Sequence, residues 1–542
     1  MRILPVNLNT ILIELDDLAQ TLALLASLQA KPIVGVEEIV PAARTLMVRL
    51  SPAVSDRGII LRDIASRRLD QTVEQSGRRI EIPVTYNGED LEVVAGIVGI
   101  STDEVIRRHT GTDYVVAFTG FAPGFAYLSG GDPSLNVPRR ATPRTSLPAG
   151  SVALAGGFSA VYPAKSPGGW QIIGYTDTPM WDIDRDQPAL LQPGDRVRFT
   201  VASSQEPALE AVLKKSDMKS EVKSDAPQSG PLQIRNPGLI SIFQDFGRPG
   251  QAKQGVSVSG AMDKASLAAA NRIVGNQENE ACIEIAYGRL ELFCHSDSLV
   301  SVTGAQCSID VTDTQGVTRQ VSGAAPVALK AGEALKLGSP TAGVFSYLAV
   351  RGGFDVPLVL GSASTDFMAK IGKPLAAGDF LPTKSAVVTS APYLIEAPIG
   401  LPKSKKIAFI DVVMGPRTDW FSETSVTLFT EQLWTVTSQS NRVGLRLSGA
   451  TPLTRAKAAE GQELQSEGTV RGAIQVPTSG QPILFMTDHP LTGGYPVIAC
   501  VAEYHLDFAG QLPINSQVCF RPVRAFEALE IGAAHTKSAE GT

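Results

Sequence analysis

Residues 162–175 read YPAKSPGGWQIIGY, an apolar run that is broken by a lysine, a serine and two adjacent glycines. Gly168 and Gly169 carry no Cβ, so the backbone there can turn through positive φ or lie directly against a ligand. An ordinary β-hairpin with a packed Trp170 also explains the pattern, because such turn residues mark most hairpins. The stretch therefore predicts β structure with a tight turn, and it leaves open whether that turn binds a ligand.

A similar arrangement returns near the other end of the chain. The first copy, at 163–175, is followed by PGDRVRF at 193–199, and DHPLTGGYPVIACV at 488–501 is followed by PINSQVCF at 513–520. Each copy has a Gly-Gly-aromatic turn, an apolar strand and a final strand that begins after a proline. This repetition predicts two related β-barrel-like domains.

The size and composition of the chain are those of a globular protein with several cores. It has 542 residues, whereas single domains seldom exceed roughly 250 residues. Its 50 glycines and 36 prolines favour short strands and tight turns over long helices. The net charge of −6, with no lysine- or arginine-rich stripe, excludes a broad nucleic-acid-binding surface.

The cysteines and the apolar runs restrict the cellular setting. Five cysteines, an odd number without a C-x-x-C pair, indicate buried apolar thiols instead of a disulfide framework or a zinc site. The N-terminal apolar run is too short for a signal peptide, and no window approaches about 18 apolar residues. We therefore expect a cytoplasmic protein that has no contact with membranes.

One segment divides the chain by its composition. Residues 203–231 are rich in Ser, Lys, Glu and Asp, which predicts a solvated linker with one short helical piece at 207–213. Before it, strand-like and helix-like pieces alternate, and after it short strands dominate. We expect a small α+β domain, a first barrel domain, the linker, a second-half domain and a tail, at 1–83, 84–202, 203–231, 232–533 and 534–542.

Three helices are expected within this frame. LAQTLALLASL at 18–28 has helical periodicity, STDEVIRRHTG at 101–111 opens with a capping box formed by Ser101 and Glu104, and Gly275 ends a helix at 266–275.

Common catalytic signatures are missing from the sequence. It contains no P-loop, no G-x-S-x-G elbow and no metal-ligand spacing among its five histidines. Met218–Lys219 lacks the flanks of a biotin-carrying hairpin, so no self-attached biotin is expected. What remains is a set of polar residues in turns rich in glycine and proline.

In the first half, these residues suggest a site for an anion. Arg139, Arg140 and Arg144 can form a forked site for phosphate or carboxylate, or they can be solvated charges beside prolines. Lys165 and Ser166 lie at the tip of the quoted turn, where an ammonium can meet a phosphoryl or carbamoyl oxygen.

His109 ends a predicted helix, whose dipole would favour the charged imidazole. A role in proton transfer and a structural role are both open.

In the second half, charge again collects in turns. Asp245, Arg248 and Asp263 are turn residues, and Arg442 and Arg446, four apart on a strand, would share one face. Asp488 and His489 precede the second glycine pair, and a carboxylate beside a histidine can orient water or hold Mg²⁺. With Gly168, Gly169, Gly493 and Gly494 as the flanking turns, this pattern predicts a site at a barrel mouth.

Long stretches of both halves resemble a known pair of families. The first part resembles subunit 1 of allophanate-hydrolase-type proteins, also called the B-type subunit of 5-oxoprolinase. The second part resembles the companion subunit 2, also called the C-type subunit of 5-oxoprolinase or a biotin-dependent carboxyltransferase domain. The matching stretches of the first part are VPAARTLMV, GFAPGFAYL, VPRRATPRTSLPAGSVALAGG and YPAKSPGGWQIIG. Those of the second part are GLISIFQDFGRPG, SGAMDKASLAAANRIVGN, YLAVRGGFDVP, GSAST, GAIQVPTSGQPI and TGGYP.

The resemblance implies a mainly β fold with α+β elements, which has cyclophilin-like β-barrel domains in both halves and a small N-terminal α+β domain. It implies ATP-dependent opening of 5-oxo-L-proline to glutamate, which requires ATP, Mg²⁺ and a separate LamB/YcsF-type protein, the A-type subunit. Carboxyl transfer from carboxybiotin to urea or a similar amide is one alternative, and regulation of a histidine kinase is another. A homo-oligomer is also compatible with it.

For the oxoprolinase reaction, cations are needed around phosphate groups. Lys165 and the arginines would supply them, Asp488 would hold Mg²⁺ or place water, and His109 or His489 would relay a proton. The chain departs from the family pattern at Ala363 in GSAST, at Asn441, Val443 and Leu445 in SNRVGLR, at Pro490 in DHPLTGGYP, and in the shortened segment KIGKPLAAGD. These departures put the details of the second-half anion site in question.

Overall fold

The computed structural model describes residues 1–54, 56–70, 77–203, 229–323, 325–384 and 400–524, and the backbone of 529–530. Nearly all of the expected linker, including its short helical piece, and the expected tail lie outside the described residues.

The N-terminal residues form the expected small α+β domain. Its elements are β1 (Arg2–Asn7), β2 (Thr10–Glu14), α1 (Leu18–Ala30), β3 (Val36–Pro41), β4 (Thr45–Leu50) and α2 (Arg57–Ala65). The strands form an antiparallel sheet in the order β3-β4-β2-β1. Helix α1 starts where the Asp17 carboxylate accepts the Gln20 N–H, and it buries Leu24 and Leu28 against the sheet, as its periodicity predicts.

The next part of the chain is a nearly closed barrel. Its strands are β5 (Arg79–Val84), β6 (Tyr114–Thr119), β7 (Ala126–Ser129), β9 (Ser151–Ala155), β10 (Phe158–Val161), β12 (Gln171–Tyr175) and β13 (Arg196–Val201), with the separate pair β8 (Arg144–Leu147) and β11 (Ser166–Gly168) and the helices α3 (Leu91–Val98) and α4 (Thr102–Gly111). Seven strands follow the order β12-β9-β10-β7-β6-β13-β5. A bridge between Thr85 and Tyr175 joins the two edges. Strand β5 thus lies in the barrel, although the sequence analysis assigned it to the small domain.

The second half begins with two packed sheets. One contains β14 (Leu232–Pro237), β17 (Leu290–Cys294), β19 (Ile309–Thr312), β20 (Thr318–Gln320), β22 (Ala334–Leu337) and β24 (Phe380–Leu381), and the other contains β15 (Ile240–Gln244), β16 (Cys282–Ala286), β18 (Ser298–Gln306), β21 (Val327–Leu329) and β23 (Ala342–Val350). Helix α5 (Lys264–Val274) packs on β18 and β23. Asp263 caps its N-terminus and Gly275, at φ +78°, ends it, so this helix begins two residues before the predicted start.

The chain then forms a closed barrel. Its strands are β25 (Ile407–Met414), β26 (Trp434–Val436), β27 (Gly444–Ser448), β29 (Ala473–Gln475), β30 (Ile483–Phe485), β32 (Val497–Val501) and β33 (Gln517–Val523), with the separate pair β28 (Glu467–Gly468) and β31 (Thr492–Gly493) and the helices α6 (Glu423–Glu431) and α7 (Leu506–Gly510). Short 3₁₀ turns occur at Pro133–Leu135, Ala252–Gln254, Thr418–Trp420, Lys457–Ala459 and Glu503–His505. A last strand, β34 (Leu529–Glu530), pairs with β1 of the N-terminal sheet.

The two barrels share one strand plan, which fits the repetition in the sequence. In each barrel the final strand runs parallel to the first, as β13 does to β5 and β33 does to β25. The same final strand pairs antiparallel with the next barrel strand, β6 or β26. The expected mainly β fold with a barrel in each half is therefore confirmed.

The two halves pack against each other extensively. Leu4, Leu12 and Met47 of the N-terminal sheet form one buried cluster with Leu491 and Cys500 of the last barrel. Burial of this kind stabilises a contact by about 25 cal/mol for each Å² of apolar surface that is removed from water. The halves are thus held by a shared core as well as by the covalent connection.

All five cysteines are free thiols; Cys282, Cys294 and Cys500 are buried, as expected, whereas Cys307 and Cys519 are only partly buried. Within the described part of the chain, none of the helices has the length and apolar character needed to cross a membrane.

Candidate functional site

The two glycine pairs predicted from the sequence lie on the walls of one cavity between the halves. Its volume is about 490 Å³, which is within the range of small-molecule sites. Gly168 and Gly169 come from the first half, and Gly493 and Gly494 from the second. The rest of the wall includes Phe121, Phe125, Tyr127, Arg139, Arg140, Tyr162, Trp170, Trp420, Arg455, Ser466, Thr492 and Tyr495.

The first glycine turn is fixed by the strand beside it and by the aromatic cluster beneath it. Strand β11 pairs with β8, so it is not one arm of a hairpin with β12. The N–H of Arg140 donates to the carbonyl of Gly169 at 2.8 Å. Trp170 is buried and packs edge-to-face on Phe125 and Tyr127, with 5.6 Å between ring centroids in both pairs. The turn is therefore held rigidly at the cavity wall.

None of the four glycines has positive φ, so backbone conformation does not require them, but close packing requires Gly168 and Gly493. A Cβ on Gly168 would collide with the Tyr162 hydroxyl and with a Leu147 methyl group, and a Cβ on Gly493 would collide with the Gln475 amide. Tyr162 is 1% exposed and packs edge-to-face on Phe121 and Phe125, so a shift of its ring would disturb that cluster.

Replacing Gly168 by alanine should therefore lower the free energy of unfolding by about 1–3 kcal/mol, which is the usual cost of overpacking. Gly169→Ala is the matched control, because its Cβ would meet nothing closer than Pro143 at 3.6 Å and should change stability by less than about 0.5 kcal/mol. Thermal unfolding of the two variants measures the difference. Equal midpoints would contradict this packing argument.

Residues of both halves fix the remaining walls by direct hydrogen bonds. The Phe121 N–H donates to Thr492 Oγ1 at 3.0 Å, and the Tyr127 and Ser466 hydroxyls lie 3.0 Å apart. Phe121 has φ +63°, which is strained for a residue with a large side chain. The cavity is complete only when both halves are assembled.

Two arginines give this cavity its positive charge. Arg139 has one long contact, 4.0 Å from its Nε to an exposed Glu463 carboxylate. Arg455 donates to the Val476 carbonyl at 2.7 Å and lies over the Phe421 ring, and burial lowers its pKa. Its Nη1 has no hydrogen-bond partner, and no carboxylate of the described chain forms an ion pair with it. Because both arginines line the cavity and neither has a close carboxylate partner among the described residues, they can attract a carboxylate or phosphate to it.

Arg455 was not predicted from the sequence. It lies in TPLTRAKAAEG, which matches no motif, and only the fold brings it to the cavity that Arg139 lines. The other two predicted anion ligands are already occupied. Arg144 holds both Asp90 oxygens, at 2.7 and 2.8 Å, and Arg140 contacts the same carboxylate. Asp90 also accepts the Ile172 N–H.

Arg140 and Arg144 therefore anchor the strand that carries the first glycine turn, and the expected three-arginine site is reduced to Arg139. The ion pairs, together with the backbone hydrogen bond, hold the pKa of Asp90 below its usual value against the effect of burial.

Lys165 and Ser166 flank the turn without lining the cavity. Lys165 is exposed, and Ser166 is partly buried with no partner for its hydroxyl. The ammonium expected at the reacting oxygen is therefore outside the cavity wall.

His109 is fully buried in the core of the first barrel, away from the cavity. It contacts the hydroxyls of Tyr86 and Ser159 and stacks on Phe199 at 4.3 Å. Burial lowers its pKa to about 3, so the expected charged imidazole at the helix end is wrong. A neutral histidine that is sealed from solvent is a structural residue here, not a proton relay.

Arg442 and Asp488, predicted separately, are partners in a buried ion-pair network. Arg442 donates to Asp488 at 2.9 and 3.0 Å, and it also contacts Glu284. Asp488 accepts the Ser259 hydroxyl at 2.6 Å, and Glu284 accepts the Tyr347 hydroxyl at 2.8 Å. This network joins the two-sheet domain to the last barrel.

The expected Mg²⁺ ligand does not fit, because both Asp488 oxygens are occupied and buried. Among the residues that the structure describes, no cluster of three metal-ligating side chains occurs. Arg446 is also not where it was predicted. The strand begins at Gly444, so Arg442 lies in the preceding turn and is buried, whereas Arg446 is exposed.

The other predicted turn residues have structural roles. Asp245 binds the loop at 362–364 through the Ser362 and Ser364 hydroxyls and the Ala363 N–H. Arg248 is 1% exposed and donates to the Ser364 carbonyl. Asp263 caps α5. These three residues hold loops and a helix outside the cavity.

His489 lies at a second cavity of about 320 Å³ between the N-terminal sheet, the start of α5 and the last barrel. A third cavity, of about 510 Å³, adjoins the first and shares Tyr127, Arg139, Trp170 and Ser466 with it.

Comparison with known proteins assigns each half to one family model. Residues 1–191 match the carboxyltransferase domain, subdomain C and D, and residues 254–522 match the carboxyltransferase domain, subdomain A and B. The second half is 37% identical to the C-type subunit of 5-oxoprolinase from Escherichia coli K12 over 303 residues, which cover 55% of this chain and 93% of that protein.

The first half is 44% identical to the B-type subunit of 5-oxoprolinase from Escherichia coli O157:H7 over 168 residues, which cover 28% of this chain and 77% of that protein. Urea amidolyase of Lachancea kluyveri is 32% identical over 313 residues, 54% of this chain but 17% of that protein.

One solved structure resembles nearly the whole molecule. The crystal structure of the protein TTHA0988 matches with a TM-score of 0.78 and 30% identity over 94% of this chain and 99% of that one. The arrangement of the two halves therefore occurs in another single polypeptide. This chain belongs to the carboxyltransferase-domain family, in which it joins the counterparts of the B-type and C-type subunits of 5-oxoprolinase in one polypeptide.

Proposed function

We propose that the protein is the B/C component of an ATP-dependent 5-oxoprolinase, which opens 5-oxo-L-proline to L-glutamate together with a separate LamB/YcsF-type protein as its A-type subunit. The observation that carries this proposal is the cavity between the two glycine turns, which residues of both halves build. If each half contributes part of one site, a B-type protein and a C-type protein would need each other to complete it. The similarity of each half to a named 5-oxoprolinase component supports the substrate.

The cavity suits this substrate in size and charge. Arg139 and Arg455 would hold the carboxylate of 5-oxoproline, and the aromatic wall formed by Phe121, Tyr127 and Trp170 would pack on its ring. The adjoining cavity gives room for a second reactant beside the same arginine.

A lactam carbonyl is a poor electrophile, and phosphorylation of its oxygen would activate it. The amide oxygen attacks the γ-phosphorus of ATP and ADP leaves. Water then attacks the activated carbon, the ring C–N bond breaks, and a second water releases phosphate from the resulting acyl phosphate. In this scheme the arginines stabilise anionic groups and the closed walls exclude bulk water. The LamB/YcsF-type protein would share the hydrolytic steps.

The test is reconstitution with a purified LamB/YcsF-type protein, Mg-ATP and 5-oxo-L-proline, in which glutamate and ADP are followed together. Glutamate that forms only in the complete mixture, and in step with ADP, supports the proposal. A folded protein that yields no glutamate with an active LamB/YcsF-type protein would contradict it.

Carboxyl transfer from carboxybiotin to urea or a similar amide is the second candidate, because the family models describe carboxyltransferase subdomains and urea amidolyase is a relative. It requires a biotinylated partner. Urea-dependent loss of carboxyl groups from carboxybiotin, without ATP or the LamB/YcsF-type protein, would favour this reaction over the first.

A further inference from the structure

We propose that the second cavity, which Lys264, Arg471 and His489 line, is a separate binding site for an amino-acid-sized carboxylate. Its volume is about 320 Å³, enough for a ligand of that size. It contains none of the walls of the cavity between the glycine turns. The proposal does not depend on the 5-oxoprolinase reaction.

Lys264 occupies a position that is unfavourable for a lysine on three counts. It is the first residue of α5, where the helix dipole disfavours a positive charge. It is largely buried, and Arg471 and Arg49 are nearby cations. These factors lower its pKa to about 8, with burial the largest cause. A buried lysine at the start of a helix breaks a local rule, and such departures are expected at functional positions.

The Lys264 ammonium has no direct ion pair in the described protein, although Asp507 and Asp245 are close enough to stabilise its charge and the Phe246 ring lies 5.9 Å from it. Its Nζ donates to the Phe246 carbonyl at 2.8 Å, and no carboxylate of the described residues lies within ion-pair distance. Arg471 is 15% exposed and binds Asp507 and two backbone carbonyls through Nη2, but its buried Nε has no partner. Because Lys264 and Arg471 both line the cavity, a ligand carboxylate bound there would give Lys264 the direct ion pair that it lacks.

His489, another residue of the cavity wall, can bind an N–H group. His489 Nδ1 lies 2.9 Å from the Pro490 carbonyl, which can only accept, so this nitrogen carries the proton. Burial lowers the pKa of His489 to about 4, so the ring is neutral and Nε2 is an acceptor. Glu38, Glu503 and Asp507 add negative charge. A ligand with a carboxylate and a nearby nitrogen therefore fits this cavity better than a simple anion.

The experiment measures how fast each lysine of the whole protein reacts with a trace of acetic anhydride, by peptide mass spectrometry, with and without L-glutamate. Glutamate should slow the labelling of Lys264 severalfold and leave the exposed Lys253 unchanged. Protection that is absent, or that sodium chloride reproduces at the same ionic strength, would overturn the proposal.

Because Lys264 binds the carboxylate only when it is charged, the protection of Lys264 by glutamate should depend on pH. A carboxylate binds the protonated lysine, so affinity should be full below about pH 8 and fall roughly tenfold for each pH unit above it. The charged and titratable groups around Lys264 are Arg49, Arg471, Asp245, Asp507, Glu38, Glu503 and His489. Protection that is the same at all pH values would contradict the role of Lys264.

Arg455→Met separates this proposal from the proposed function. The variant should lose binding at the first cavity and keep glutamate protection of Lys264. Loss of protection in that variant would mean that the effect is transmitted from the first cavity, and the second site would be abandoned.

Discussion

Replacing Arg442 by methionine is expected to lower the free energy of unfolding by about 3–5 kcal/mol, because it leaves two buried carboxylates without a cation. Asp488 is 2% exposed and Glu284 1% exposed, so neither carboxylate can turn to solvent. Both would be protonated or would draw water into the junction between the two-sheet domain and the last barrel, and either response costs stability.

Arg446→Met is the control for this prediction. It makes the same chemical change four residues away on an exposed side chain, and it should alter stability by less than about 0.5 kcal/mol. Thermal and denaturant unfolding, followed by the fluorescence of Trp434 in the barrel core, compare the two variants. Similar midpoints for both would show that the buried network contributes little.

Replacing Arg455 by methionine is expected to reduce kcat/KM for 5-oxo-L-proline roughly 10- to 100-fold in the reconstituted system. A hydrogen bond to a charged group contributes about 1.5–3 kcal/mol, and each factor of ten corresponds to about 1.4 kcal/mol. If Arg455 holds the substrate carboxylate equally in the ground state and the transition state, the change will fall on KM.

Arg455→Lys keeps the positive charge and should lose less activity than the methionine variant, whereas Arg446→Met should keep full activity. The thermal midpoint of each variant shows whether it is folded. An Arg455→Met protein that is folded and fully active would remove this arginine from the substrate site.

Local signals in the sequence predicted local structure well. Ser101 caps α4, Gly275 ends α5, and the repeated Gly-Gly-aromatic segments belong to two barrels with one strand plan. These features depend on neighbouring residues or on a repeat, and both are visible in one chain. The glycine pairs are the part of the site that the sequence predicts, because the same Gly-Gly-aromatic turn before an apolar strand occurs near the end of each half.

The state of each charged residue was not predictable in the same way. Arg140 and Arg144 form ion pairs with Asp90, about 50 residues earlier in the chain. No local sequence pattern predicts such a partner. Arg442 and Arg446 have the spacing of one strand face, but the strand begins only at Gly444. Arg455 remains available because the fold places no carboxylate of the described residues beside it.

Burial also explains why the sequence suggested a proton-transfer role for two histidines. His109 and His489 stand beside polar residues in the sequence, but the fold buries both and lowers their pKa values. Burial is a property of the assembled barrels, and the sequence around each histidine does not determine it.

The most direct measurement is a crystal structure of the protein soaked with 5-oxo-L-proline. The account predicts ligand density between the Gly168–Gly169 and Gly493–Gly494 turns, with the carboxylate bound by Arg139 or Arg455. If saturating 5-oxo-L-proline leaves this cavity without ligand, the central claim that the two halves build one substrate site is contradicted.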